Sequence, residues 1–213
     1  VRPLTTRDGR NTNAIFGFIN MLYKQLTDLA PDYAAIAFDL KAPTFRHLEY
    51  DQYKAGRKPM PPELVMQMPL LKDVLHAMNI KTLELEGFEA DDIIGTLSAQ
   101  AEERGLATVI VTGDRDSLQL INDRTSVFLS VSRPSGSETV VYNAAAVVEK
   151  YGVSPKQMID VKAIMGDTSD NVPGVPGIGE KTAVKILTMF GTVENAIEHV
   201  DEVAVLKDVL NLA

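Results

Sequence analysis

The chain has 213 residues, 45% of them hydrophobic and 23% charged, a balance that excludes wholesale disorder and is typical of one domain, or one core with a helical appendage. No cysteine is present, which excludes a disulfide scaffold, a thiolate metal site and a cysteine nucleophile. With 29 acidic and 21 basic side chains the net charge is −8, and this sign argues against a nucleic-acid partner unless the acidic residues are concentrated in one place.

The hydrophobic pattern of the first 112 residues predicts helices and strands in alternation. Helices are predicted over about Ala14–Leu29, Pro62–Met78 and Ala90–Arg104, and strands over Ala34–Phe38, Leu83–Leu85 and Thr108–Thr112. The first of these strands is almost wholly apolar and lies between helices, which is typical of a buried strand in a parallel sheet. Residues 41–62 show no regular periodicity.

The rest of the chain predicts a hairpin followed by helices. Residues 126–131 and 139–142 alternate around turn residues 133–136. After Tyr142 the chain is predicted to be helical, apart from one glycine- and proline-rich loop, Val172–Gly179. This order predicts an α/β fold with a mostly parallel central sheet flanked by helices, followed by a helical module. We place the two domains at residues 1–152 and 153–213.

Eight acidic side chains stand where predicted strands or helices begin or end: Asp39, Glu89, Asp91, Asp92, Asp114, Asp116, Asp167 and Asp170. Ligands bind at the carboxyl edge of a parallel sheet, so these side chains could meet in one crevice. Taken singly, each has a simpler explanation, either as a helix cap (Asp91, Asp92) or as a turn residue. Taken together, eight carboxylates in one crevice would repel each other by roughly several kcal/mol without cations.

The chemistry of such a cluster favours hard divalent ions. Oxygen-only ligand sets suit Mg²⁺ or Mn²⁺, and the absence of cysteine and the three scattered histidines argue against zinc. Two such ions about 3.5–4 Å apart are the usual arrangement for phosphodiester cleavage.

Two further segments suit nucleic acid. Residues 41–60 carry a net charge of +3, with Tyr50 and Tyr53 among the basic residues, which suits phosphates and stacked bases but is equally compatible with a solvated loop. Residues 172–183 bring two glycines to the start of a helix, where uncovered backbone N–H groups can bind a phosphate. Lys181 and Lys185 add positive charge there; the simpler alternative is a structural turn between two helices.

These stretches resemble the flap-endonuclease family of 5′-nucleases, which includes the 5′-nuclease domain of bacterial DNA polymerase I. The resemblance covers nearly the whole chain in order, and its matching segments are residues 38–39, 44–47, 53–57, 60–64, 87–97, 112–116 and 165–183. It implies a resolvase-like (PIN) sheet domain, a mobile arch at about residues 41–62, and a helix–three-turn–helix at residues 172–183.

The resemblance also implies roles for individual residues. The eight acidic residues named above would form the divalent-metal site, with two or more Mg²⁺ or Mn²⁺ ions. Lys54 and Arg57 of the arch would contact the scissile phosphate and act in catalysis together with Asp114 and Asp116. The residues implied in DNA binding are Arg46, Tyr53, Lys54, Arg57, Gly177, Gly179, Lys181, Thr182 and Lys185. A monovalent cation such as K⁺ is expected in the helix–three-turn–helix.

The function implied is a structure-selective 5′-nuclease of DNA replication and repair that cleaves 5′ ends and flaps and removes RNA primers. Its expected partners are flap, nicked or 5′-ended DNA, RNA primers and a polymerase domain in the same gene product. We expect a monomer in the bacterial cytoplasm, associated with the nucleoid and not with a membrane.

Two alternatives remain open at this stage. The family begins with a strand carrying one further metal-binding aspartate, and that strand would precede Val1. Without it, the chain would be a DNA junction-binding module without catalysis. A small-molecule phosphatase with Asp39 as nucleophile is the other alternative, although such enzymes commonly have a second acid two residues later, where this chain has Lys41.

Overall fold

The structure, a computed structural model, describes residues 4–133 and 136–203. These residues form two compact units. Unit 1 consists of the described parts of Val1–Thr44 and Arg57–Ile93, and unit 2 of the described parts of Phe45–Gly56 and Ile94–Ala213.

The described residues form helices and strands in alternation, followed mainly by helices. The helices are α1 (Asn13–Leu29), α2 (Phe45–Glu49), α3 (Pro62–Val65), α4 (Gln67–Ala77), α5 (Ala90–Glu103), α6 (Ala144–Tyr151), α7 (Gln157–Met165), α8 (Glu180–Phe190) and α9 (Val193–Glu198), with a 3₁₀ helix at Arg115–Leu120. The strands are β1 (Ala35–Ala37), β2 (Lys81–Leu83), β3 (Thr108–Thr112), β4 (Thr125–Arg133), β5 (Gly136–Tyr142), β6 (Gly166–Asp167) and β7 (Val172–Pro173).

Unit 1 contains a parallel pair of strands, in which Ile36 of β1 lies opposite Thr82 of β2. Helices α1 and α4 pack beside each other in this unit. The side chain of Gln67 connects them, because its Oε1 accepts a hydrogen bond of 2.9 Å from the backbone N–H of Ala14. Thr12, the N-cap residue of α1, makes no side-chain cap bond, so Gln67 satisfies a backbone donor that would otherwise lack a helical partner.

Two elements of unit 1 differ from the sequence-based prediction. The predicted helix Pro62–Met78 is divided at Met66, since the ring of Pro69 would collide with the carbonyl of Val65 in one continuous helix. Strand β2 begins two residues earlier than predicted. Asn79, with φ of 58°, turns the chain sharply after α4, so the strand starts almost at once.

Unit 2 contains a second sheet in the order β3-β4-β5. Strands β3 and β4 are parallel, and β4 and β5 form the predicted antiparallel hairpin, whose turn residues Pro134 and Ser135 lie outside the described residues. Its core consists mainly of Ile110, Leu118, Ile121, Val127, Leu129, Tyr142 and Val147. The α/β class is confirmed, and the parallel strands are distributed over two sheets, one in each unit.

The helical part of unit 2 has its own core, which α7, α8 and α9 supply. Its buried side chains include Val161, Ile164, Ile186, Leu187 and Ala196. The short pair β6 and β7 closes a tight loop between α7 and α8. Across the residues that the structure describes, no helix is long and apolar enough to cross a membrane.

Candidate functional site

Four of the predicted acidic residues lie in unit 1, around the first turn of α5. Asp39 follows β1, and its Oδ1 accepts a hydrogen bond of 2.7 Å from the backbone N–H of Ala90. The backbone N–H of Glu89, a residue with 9% of its surface exposed, donates to Oδ2 of Asp92 at 2.9 Å. A strand-end carboxylate thus meets the start of a helix, where Asp91 and Asp92 also favour the helix dipole.

The other four acidic residues lie in unit 2. Asp114 follows β3 and caps the 3₁₀ helix, since its Oδ1 accepts a hydrogen bond of 2.9 Å from the backbone N–H of Asp116. The hydroxyl of Thr112 in turn accepts a bond of 3.0 Å from the N–H of Asp114. These bonds fix both aspartates at the carboxyl end of a strand, as the sequence predicts.

Asp167 and Asp170 lie in the loop that β6 and β7 close. Oδ1 of Asp167 accepts three hydrogen bonds: from N of Ser169 at 2.8 Å, from Oγ of Ser169 at 2.6 Å and from N of Asp170 at 3.2 Å. The loop therefore folds around one carboxylate oxygen. The second oxygen of Asp167 is available for a partner outside the loop.

That partner is Lys162 of α7. Its Nζ lies 2.5 Å from Oδ2 of Asp167 and 2.8 Å from Oδ1 of Asp116. Burial alone would raise the pKa of Asp167, but the hydrogen bonds and charge of Lys162, together with Ser169, outweigh it and hold that pKa well below its usual range. Burial alone would lower the pKa of Lys162, but Asp116 and Asp167 outweigh it and raise that pKa.

The predicted arch contributes residues 52–54 to the same loop. The hydroxyl of Tyr53, whose side chain is buried, donates to Oδ2 of Asp170 at 3.0 Å. The backbone N–H of Lys54 donates to the carbonyl of Asp170 at 2.8 Å, and its Nζ lies 3.9 Å from Oδ2 of the same residue. Lys54 has a left-handed backbone (φ 56°), a conformation that costs energy for a residue with a side chain.

The other two basic arch residues predicted to bind DNA, Arg46 and Arg57, belong to different units. Arg46 lies in α2 of unit 2, with its guanidinium 4.5 Å from the ring centre of Phe45. Arg57 is exposed and belongs to unit 1, in a stretch without helix or strand. Of the two basic residues predicted to act in catalysis, Lys54 lies in the same unit as Asp114 and Asp116, and Arg57 belongs to the other unit.

The glycine-rich loop leads into α8 as predicted. Gly177 has φ of 77°, and Gly179 is an N-cap without a side-chain cap bond. The N–H groups of Thr182 and Ala183 bond to the carbonyl of Gly179, whereas the first N–H groups of the helix point beyond its end. Lys181 and Lys185 are exposed on the first turns. This helix end is suited to bind an anion such as a phosphate.

In the described part of the chain, no three acidic or histidine side chains are grouped so as to hold a metal ion without rearrangement. The donor chemistry nevertheless fits a hard cation. Asp116 and Asp167 already share one cation, the ammonium of Lys162, and all of the predicted ligands bind through oxygen.

Sequence reasoning missed two features of this site. Lys162 carries no motif, and its role follows only from the packing of α7 beside the 3₁₀ helix. The second is the close backbone contact of Gly166 and Gly174, where a Cβ on Gly174 would lie 2.3 Å from N of Gly166. The recurrence of glycine on both sides of an acidic loop was the available signal.

Comparison with known proteins gives a consistent result. Residues 1–152 match the family model described as 5′-3′ exonuclease, N-terminal resolvase-like domain, and residues 153–212 match 5′-3′ exonuclease, C-terminal SAM fold. DNA polymerase I of Bacillus caldotenax is 48% identical over 202 residues, which are 94% of this chain and 23% of that protein. The chain thus spans about a quarter of the length of this relative.

Solved structures share the fold. The T5 5′-exonuclease with divalent metal ions (zinc) bound has a TM-score of 0.72 at 24% identity, covering 87% of this chain and 70% of that one. A variant of the bacteriophage T5 flap endonuclease, in a pseudo-enzyme-product complex with DNA and metal ions, has a TM-score of 0.72 at 23% identity, covering 89% and 73%. By its family models and its close relatives, the chain belongs to the 5′-3′ exonuclease family, with a resolvase-like domain followed by a SAM-fold module.

Proposed function

We propose that the chain is the 5′-nuclease part of a longer protein of the DNA polymerase I type. It hydrolyses phosphodiester bonds of DNA at 5′ ends and flaps during replication and repair, including the removal of RNA primers. The observation that carries this proposal is the acidic loop at Asp167–Asp170, which folds around one carboxylate oxygen and directs the other to a cation shared with Asp116. Family membership over nearly the entire chain supports it.

The proposed metal ligands form two groups of four, one in each unit. They are Asp39, Glu89, Asp91 and Asp92 in unit 1, and Asp114, Asp116, Asp167 and Asp170 in unit 2. They would hold two or more Mg²⁺ or Mn²⁺ ions, in keeping with the metal ions named for the two T5 structures. Bound ions of this kind lower the pKa of a water molecule and offset the negative charge of a phosphodiester.

The chain's own cations bind and orient the reacting phosphate. Lys54 is fixed by its backbone bond to Asp170, which places its ammonium beside the acidic loop. Arg57 supplies a planar guanidinium that can donate two hydrogen bonds to one phosphate. Both stabilise negative charge that develops on the phosphate oxygens, and the products are a 5′-phosphate and a 3′-hydroxyl.

We assign DNA binding to the start of α8 and to the arch. The uncovered N–H groups after Gly179, with Lys181, Thr182 and Lys185, bind the backbone of duplex DNA without reading its bases. The same loop is the proposed K⁺ site. Arg46, Tyr53 and Lys54 bind the strand near the arch.

We propose that the chain is monomeric, that its domains meet at residues 152/153 and that a polymerase domain follows in the same gene product. The residues matched by the two family models support the domain boundary, and the 23% coverage of DNA polymerase I supports the polymerase domain. We place the protein in the bacterial cytoplasm, associated with the nucleoid.

The test is cleavage of a 5′-labelled flap duplex by wild type and by Asp114→Asn. Asparagine keeps the cap bond to Asp116 but removes the negative charge, so the variant stays folded. Because a metal ligand is lost, we expect cleavage to fall by at least about a hundredfold (about 2.7 kcal/mol) while DNA binding is retained. Asp123→Asn, at an exposed turn of the same unit, is the matched control.

Each outcome of this assay has a defined meaning. Cleavage that requires Mg²⁺, stops with EDTA and is lost in Asp114→Asn supports the nuclease. Undiminished cleavage by Asp114→Asn would refute the assignment of that residue. Tight flap binding without cleavage, by this chain and by the full-length protein alike, would favour the junction-binding alternative.

A further inference from the structure

Lys162 occupies the position between two of the proposed ligands. Its Nζ contacts one oxygen of Asp116, from the 3₁₀ helix, and one oxygen of Asp167, from the loop after α7. About a third of the Lys162 and Asp116 side chains is exposed, against 14% for Asp167. One ammonium group therefore holds together two carboxylates that are far apart in the sequence.

A divalent ion bound by the same two oxygens would need the same space. Oxygen ligands lie about 2.0–2.1 Å from Mg²⁺, which is closer than either oxygen now lies to Nζ. An ion between them would lie almost at the position of the ammonium, where both contact and charge repulsion exclude it. The remaining oxygen of Asp167 cannot substitute readily, because it accepts three hydrogen bonds from its own loop.

We propose that Lys162 is the resident counter-cation of Asp116 and Asp167, and that a divalent ion binds this pair only by displacing its ammonium. This inference rests on the proposed function, since it takes both aspartates as metal ligands. Lys162 acts as a positioning residue: without an ion it keeps two like charges together, so that the pair of ligands is already assembled when an ion arrives.

The structure offers the displaced side chain a place. Lys162 lines a cavity of about 150 Å³ in unit 2, whose walls are mainly apolar and include Met158, Val161 and Val184. Its aliphatic stem can pack against such walls, as lysine stems commonly do. Glu180, whose carboxylate can pair with an ammonium, and Arg115, a second cation, also line the cavity. A cavity beside Lys162 is compatible with displacement through a change of its side-chain rotamer.

The first test is the affinity for Mn²⁺, measured by titration calorimetry without DNA. In Lys162→Met the competitor is gone, so we expect Mn²⁺ to bind about tenfold more tightly, which corresponds to about 1.4 kcal/mol. Lys156→Met, an exposed position at the start of the same helix, changes the net charge equally and is the matched control. Lys162→Arg keeps a cation that pairs well with carboxylates, and we expect its affinity to be no higher than that of wild type.

The second test observes the ammonium itself. In ¹⁵N-lysine-labelled wild type, the side-chain signal that is absent from Lys162→Met reports on Lys162. We expect this signal to change as Mg²⁺ is added and to saturate together with the binding isotherm. This measurement needs only wild type to be folded, so it tests the proposal even if Lys162→Met is unstable.

The outcomes separate this inference from the proposed function. Three results would each overturn the displacement: Mn²⁺ binding by Lys162→Met that is equal to or weaker than that of wild type, an equal gain in affinity in Lys156→Met, or a Lys162 signal that does not change at metal saturation. In each case, metal binding and DNA cleavage by wild type would still support the proposed nuclease function. If wild type binds no divalent ion and does not cleave DNA, the proposed function and this inference fail together.

Discussion

Replacement of Gly174 by alanine tests how the acidic loop is held. A Cβ on Gly174 would lie 2.1 Å from the carbonyl carbon of Met165 and 2.3 Å from the nitrogen of Gly166. Ordinary contacts of a Cβ lie at 3.4–4 Å, and the atoms in the way belong to the backbone, which cannot rotate aside. The two segments would therefore have to separate by roughly 1 Å or more, which would disrupt the pairing of β6 with β7.

The expected cost follows from these contacts. Overpacking of a tight contact costs about 1–3 kcal/mol, and each lost backbone hydrogen bond of the short ladder costs about 0.5–1.5 kcal/mol more. We expect Gly174→Ala to lower the free energy of unfolding by about 3–5 kcal/mol. With a urea m-value of about 2 kcal/mol/M, the midpoint would fall by about 1.5–2.5 M.

Urea unfolding followed by circular dichroism measures this loss. Gly113→Ala is the matched control, because its Cβ would meet only the carbonyl oxygen of Ser130, at an ordinary 3.9 Å. We expect the control midpoint to lie within about 0.3 M of wild type. A Gly174→Ala midpoint equally close to wild type would refute the reasoning, since it would show that the two segments separate at little cost.

Two other predictions concern the same loop. Tyr53→Phe removes the hydroxyl bonded to Asp170 but keeps the ring beside His47. We expect the free energy of unfolding in urea to fall by about 1.5–3 kcal/mol, because a hydrogen bond to a charged group is lost. An unchanged urea midpoint would contradict this. In EDTA, the lowered pKa of Asp167 contributes stability that is present above its usual pKa of 3.8 and is lost as the pH falls further. The thermal unfolding temperature of wild type should therefore fall between about pH 6 and 2.5, and it should fall less in Lys162→Met. An equal fall in both proteins would contradict the Lys162–Asp167 pair.

The spacing of apolar residues along the chain predicted helices and strands correctly where it is regular over the whole element. Helix α1 and strand β3 are present almost at their predicted bounds, because their apolar spacing is regular and no proline interrupts it. The division at Met66 was missed, although Pro69 signals it. The apolar residues around Pro69 keep a helical spacing through the break, so periodicity alone favours one helix.

The candidate site could be predicted only in part, for a related reason. Acidic residues at the ends of elements are visible in a sequence, and so is a glycine-rich turn before a helix. The contacts of the Lys162 ammonium with Asp116 and Asp167 depend on the packing of α7, the 3₁₀ helix and the acidic loop against each other. The contact of Gly166 with Gly174 likewise depends on how two backbone segments pack. Gly166 also combines φ of 76° with ψ of 179°, a conformation that is accessible essentially only to glycine.

The distribution of charge explains how so acidic a chain can be suited to DNA. Without the eight proposed ligands, the chain has 21 acidic and 21 basic side chains, so the whole excess equals the number of those ligands. In unit 2 the chain already places its own cations beside three of them: Lys162 contacts Asp116 and Asp167, and Lys54 lies 3.9 Å from Asp170. Under the proposed displacement, metal binding in that unit would be an exchange of cations and not the filling of a bare acidic cluster.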